Sequence, residues 1–135
     1  MGMGNYACRA ETVEEDFVKE ICPKELQVLI DVLEKVGQTL LDLGAACTYG
    51  DIEEELFSNG LEDDEIKSIC DAYDNLCTTF DETTGLELCI SYHNKKDRGD
   101  EVDGYFWQVD GVFIYSLAGE EHKDKITTKS WVVWG

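Results

Sequence analysis

Carboxylates are the residues of this chain that could do the most, and they crowd into one stretch. Asp51, Glu53, Glu54, Glu55, Glu62, Asp63, Asp64, Glu65, Asp71 and Asp74 stand within 24 residues, opposed by Lys67 alone. Their chemistry is electrostatic. Such a surface repels nucleic acid, anionic membrane and free nucleotides, and it attracts basic surfaces. The histidines are fewer. His93 and His122 could each act as a general base in principle. No glycine-rich phosphate loop, nucleophile elbow or HExxH pattern accompanies them, so both read as surface histidines and the chain as non-enzymatic.

Two further groups of potential ligands need a decision. The run Asp97-Arg98-Gly99-Asp100-Glu101-Val102-Asp103-Gly104 is rich in oxygen donors of the kind calcium takes. Its spacing does not fit an EF-hand, and a polar hairpin loop is the expectation. The six cysteines, at 8, 22, 47, 70, 77 and 89, include no pair two to four residues apart of the kind zinc sites use. Cys70 and Cys77 fall on an apolar helical stripe. All six are expected to be reduced thiols acting as small hydrophobes. No catalytic residue, metal ligand or cofactor is assigned.

The charge is uneven along the chain. Of the formal net −19, residues 1–80 carry −14 (19 acids against 5 bases) and residues 81–135 carry −5 (11 against 6). The acidity does not signal disorder, because apolar residues make up 43% of the chain and aromatics 10%. With 135 residues a single domain with a real core is expected. No leader or bilayer-length apolar run is visible, so the expectation is a cytoplasmic protein without membrane contact.

Helical spacing dominates the first half. Thr12-Val13-Glu14-Glu15 matches a capping box ahead of Val13, Phe17 and Ile21. Pro23 then suits the first turn of a helix running to about residue 43 and stopped by Gly44, with a stripe of Leu26, Leu29, Ile30, Leu33, Val36, Leu40 and Leu41. Short and long acidic helices follow over 51–57 and from 62 to about 80. They bury Ile52 and Leu56, then Ile66, Ile69, Cys70, Tyr73, Leu76, Cys77 and Phe80. After Phe80 the period falls to two. Leu86, Leu88, Ile90 and Tyr92 alternate with Glu87, Cys89, Ser91 and His93. Residues 104–109 and 112–117 flank Asp110-Gly111, a strong hairpin turn, and 126–134 forms a last strand.

The expected fold is therefore α+β: an N-terminal tail (1–10), an acidic helical half (11–80), and a four-stranded antiparallel meander (81–135) with the helices on one face. Leu29, Leu33, Leu40, Ile69 and Tyr73 are the expected helix side of the core. Aromatics including Tyr105, Phe106, Trp107, Phe113, Tyr115, Trp131 and Trp134 lie on the strands, and some are expected on the open sheet face as a protein-docking patch. Direct nucleic-acid binding is disfavoured, because acids intersperse the few local lysines.

These features point to a binding protein. The acidic segment carries nine net charges over about 36 Å if straight, at a rise of about 1.5 Å per residue. That density is comparable to a phosphate strand, although a break at Ser58-Asn59-Gly60 bends it. The leading expectation is an inhibitor that occupies the basic nucleic-acid-binding surface of a partner such as a host defence nuclease or a regulator. The nearest functional analogy is to acidic phage proteins of the anti-CRISPR or anti-restriction type. The alternatives are a cytosolic accessory module whose acidity serves solubility, and a small-molecule-binding domain.

Overall fold

The change of period near Phe80 marks a real division. A computed structural model, which describes residues 5–43, 49–109 and 121–134, has an α+β architecture with helices packed on a four-stranded antiparallel sheet. In chain order the elements are β1 (Asn5–Val13), α1 (Glu15–Ile21), α2 (Pro23–Lys35), a 3-10 turn (Leu40–Leu43) and α3 (Tyr49–Ser58). There follow α4 (Asp63–Thr84), β2 (Leu88–His93), the single turn α5 (Lys95–Arg98), β3 (Gly104–Val109), a 3-10 turn (Lys123–Lys125) and β4 (Thr127–Trp134).

The sheet order is β2-β3-β1-β4. Its interior strand β1 comes from the N-terminus, where a tail was expected. β1 has few β-branched residues, and pairing decides its conformation: eight residues pair with β4 from Asn5↔Trp134 to Thr12↔Thr127, and three pair with β3. The Thr12 capping box is corrected for the same reason. Thr12 is buried at the end of β1 and its hydroxyl donates to the Thr127 carbonyl at 3.1 Å, so Glu14 becomes the N-cap of α1. The Asp110-Gly111 turn and the strand expected at 112–117 lie outside the described residues.

α2 is shorter than its apolar stripe suggests. Gly37, at φ 71°, ends it in a Schellman motif: Gln38 N–H donates to Leu33 C=O at 2.9 Å and Gly37 N–H to Glu34 C=O at 3.1 Å. The chain then restarts as a 3-10 turn, anchored where the Asp42 carboxylate accepts from the Thr39 N–H at 2.7 Å. Leu40 and Leu43 still reach the core. The apolar spacing therefore continued through a helix break, and Gly44 lies outside the described residues.

The helix side of the core contains Leu29, Leu33, Leu40, Ile69 and Tyr73, as the spacing implied. Against it the sheet presents Leu88, Ile90, Trp107 and Val109, with Trp107 lying opposite both Ile90 and Val13. Tyr73 ties the layers together. Its buried hydroxyl accepts the Ile90 N–H at 2.9 Å, and burial pushes its pKa far up. The opposite sheet face carries a smaller cluster of Ala10, Trp131 and Val133, flanked by Cys8, Val102 and Phe106.

Candidate functional site

The acidic segment folds as two packed helices, so its charges form a patch and not a straight row. α3 ends in a second Schellman motif at Gly60 (φ 85°), where Leu61 N–H donates to Leu56 C=O at 3.3 Å. α4 then starts with the Glu62 N–H donating to the Glu65 carboxylate at 2.8 Å. Ile52, Leu56, Ile66 and Ile69 are buried beneath. Glu53, Glu54, Glu55, Glu62, Asp63, Asp64, Asp71 and Asp74 are exposed, and Glu65, held by its capping bond, is half-buried. The side chain of Asp51 lies outside the described residues.

A groove of about 500 Å³ runs between α3 and α4, lined by Glu53, Glu54, Phe57, Asp63, Ile66 and Lys67. The structure thus brings Glu53, Glu54 and Asp63 together. Glu55, Glu62 and Asp64 lie outside this groove, while Asp71 and Asp74 continue the helical row that begins at Asp63 and Lys67. Lys67 is matched by Asp71 at 2.8 Å. Phe57 is 71% exposed, the most exposed large hydrophobic side chain among the described residues. Its sequence signal is phase: it follows Leu56 directly and so falls off the Ile52–Leu56 stripe.

The described sheet aromatics are more enclosed than an open docking patch would be. Trp107 is buried under the helices, Trp131 is buried on the other face, and Tyr105 and Phe106 are half-buried. Phe113 and Tyr115, and the side chain of Trp134, lie outside the described residues. Among the described residues, the exposed aromatic side chain is Phe57, on a helix beside the acids, and not one on the sheet.

His93 is also corrected. The expected surface position does not hold, because the residue is 3% exposed. Its Nδ1 lies 3.0 Å from Oδ2 of Asp100, itself buried, and its Nε2 lies 3.1 Å from the Ser91 hydroxyl. Phe106 stacks on the ring at 4.7 Å and Trp131 meets it edge-on at 4.8 Å. With both nitrogens engaged and aromatic rings against it, the imidazole acts as a fastener that holds the segment after β2 against the sheet. That segment adds the Glu101 N–H bond to Val132 C=O at 3.3 Å, and Asp103 accepts the Lys95 N–H at 3.1 Å. Asp100 and Asp103 of the oxygen-rich loop are thus engaged in holding its own shape. Sequence spacing missed this because His93 and Asp100 meet only through the fold. Asp100→Ala should cost about 3–5 kcal/mol, the usual cost of removing one partner of a buried polar pair. Urea melts would check it, and a loss under about 1 kcal/mol would show that the fastener is not structural. His122 is half-buried, with its ring 5.5 Å from Phe17.

No protein-family model, curated protein or solved structure matches the chain.

Glu15, absent from the sequence-based candidates, organises the seam between helices and sheet. Its Oε1 accepts both the Tyr105 hydroxyl at 2.9 Å and the Trp107 indole N–H at 3.0 Å. Burial first, then the hydrogen bond and charge of Glu15, push the Tyr105 pKa up to about 12.

The five described cysteines are free thiols. Burial, helped by Glu25 beside Cys22 and by Glu53 and Asp71 near Cys70, pushes both pKa values up to about 11 from 9.0. That rise leaves about a hundredfold less thiolate near pH 8. Iodoacetamide at pH 8 should therefore label Cys8, Cys77 and Cys89, all half-buried, well before Cys22 and Cys70. Peptide mass spectrometry reads the order, and rapid labelling of Cys22 in folded protein would contradict it.

Proposed function

We propose that this protein is a non-enzymatic inhibitor that binds a basic nucleic-acid-binding protein and occupies the surface on which that partner holds nucleic acid. The observation that carries this reading is the groove of α3 and α4, in which an exposed Phe57 is flanked by Glu53, Glu54 and Asp63. Hot spots of protein interfaces are aromatic anchors ringed by polar residues, while charge supplies steering and choice of partner. The carboxylates would meet lysines and arginines of the cationic groove, and Phe57 would enter an apolar recess or stack on a guanidinium. The partner class is a host defence nuclease or a nucleic-acid-binding regulator, met in the cytoplasm. Among the described residues no helix is long and apolar enough to cross a membrane.

The test is capture of partners on the immobilised protein at low and high salt, followed by competition with duplex DNA or RNA. A partner that binds nucleic acid, is lost as salt rises and is displaced by nucleic acid supports the proposal. A specific partner whose binding is indifferent to both would overturn it, and the acidity would then be assigned to solubility.

A further inference from the structure

A second cavity, of about 250 Å³, opens between the end of α2, the Leu40–Leu43 turn and β3. Its wall is apolar: Ile30, Leu33, Leu40 and the half-exposed Leu41. Its polar lining includes two carboxylates, Glu15 and Glu34, and no lysine, arginine or histidine. The Glu15 carboxylate is already oriented, because Tyr105 and Trp107 both donate to Oε1, and Oε2 has no hydrogen-bond partner among the described residues. A pocket of this size falls just below the range of about 300–1,000 Å³ typical of drug-sized ligands, so it suits a short chain.

We propose that this cavity binds a small aliphatic cation, with its alkyl stem on the leucines and its charged head on Glu15 and Glu34. An alkylguanidinium fits best. Its several planar donors can serve the open Oε2 of Glu15 and the Glu34 carboxylate at once, and it is less strongly hydrated than an ammonium. Neutral alcohols would gain only the apolar contact. Anions would meet Glu15 and Glu34 in a cavity that no cation lines, the nearby Lys129 lining the neighbouring cavity on the other side of Glu15. The site is separate from the acidic groove of α3 and α4, and the proposal does not depend on the inhibitor reading.

The experiment is a titration of the full chain with n-butylguanidinium at fixed ionic strength, followed by the Trp107 indole N–H in proton–nitrogen NMR spectra. That proton bonds the same carboxylate oxygen and reports on it directly. A saturable shift with a Kd in about the millimolar range is expected for a ligand of this size. n-Butanol should produce no saturable shift, and guanidinium without the stem should bind at least several-fold more weakly. Glu15→Gln should weaken binding about tenfold. Glu34→Gln, at an exposed position outside the Trp107 bond, should weaken it several-fold and serves where the first variant disturbs folding. The proposal is overturned by a linear, unsaturable response of the wild type, by equal binding of n-butanol, or by unchanged affinity in Glu34→Gln. A protein carrying lysines on α3 and α4 should keep saturable binding, so failure of the inhibitor reading and failure of this one are told apart.

Discussion

Reversing Glu53, Glu54, Glu62, Asp63 and Asp64 to lysine should abolish partner binding while the helices stay folded. Five reversals move the formal charge by ten, from −19 to −9, and invert the field at the groove. All five side chains are exposed, and their helices are held from below by Ile52, Leu56, Ile66 and Ile69. Surface substitutions usually change stability within about 0.5 kcal/mol each, but Glu62 caps α4 and Asp63 and Asp64 stand in its first turn, so their reversal should weaken that turn by about 1–4 kcal/mol in total. The Glu62 N–H bond to Glu65 uses backbone of the altered residue and survives. Wild-type binding should itself weaken steeply with salt, since exposed charges are screened over about 10 Å at 0.1 M. Phe57→Ala separates the two contributions. It should remove about 2 kcal/mol of binding as a hot-spot truncation and leave the salt dependence intact. Equal affinity of wild type and the lysine variant for a genuine partner, with circular dichroism unchanged, would sink the mimic reading.

Trp107→Ala should be the most damaging single substitution for stability. The side chain is 1% exposed, is sandwiched in register between Ile90 on β2 and Val13 on β1, and donates to Glu15. Truncating a buried aromatic of this kind costs about 3–5 kcal/mol. Domain stabilities are only about 5–15 kcal/mol, so this loss takes a large part of the margin. Trp107→Phe keeps much of the packing and loses the bond to Glu15, and should cost about 1–2 kcal/mol more than a neutral change. Denaturant melts of the two variants check both figures. Similar losses for Ala and Phe would assign the effect to the hydrogen bond, contrary to the packing argument.

The elements that repeat strongly were legible. The stripe from Ile66 to Phe80 is a helix, Leu88 and Ile90 face the helices from a strand, and the carboxylates of α3 and α4 project away from Ile52, Leu56, Ile66 and Ile69. Periodicity alone carries that information, because one buried face imposes one spacing. The errors have equally local causes. Leu40 continued the stripe of α2 across the Gly37 cap, since a 3-10 turn can return a leucine to the same core. Thr12 and Glu15 imitate a capping box, yet each is claimed by partners ninety or more residues away: Thr12 by Thr127, and Glu15 by Tyr105 and Trp107 at separations of 90 and 92.

By itself, then, the sequence determined the α+β division, the helical and strand periods, and the concentration of negative charge on the helices, because each is a property of neighbouring residues. Only the tertiary structure decided that residues 5–13 form an interior strand, that His93 is buried on Asp100, that the described sheet aromatics are buried or half-buried, and that Phe57 stands open among acids. Each of those depends on which distant segment comes to lie alongside. Strand pairing and burial are long-range contacts, and no local spacing encodes the identity of the partner.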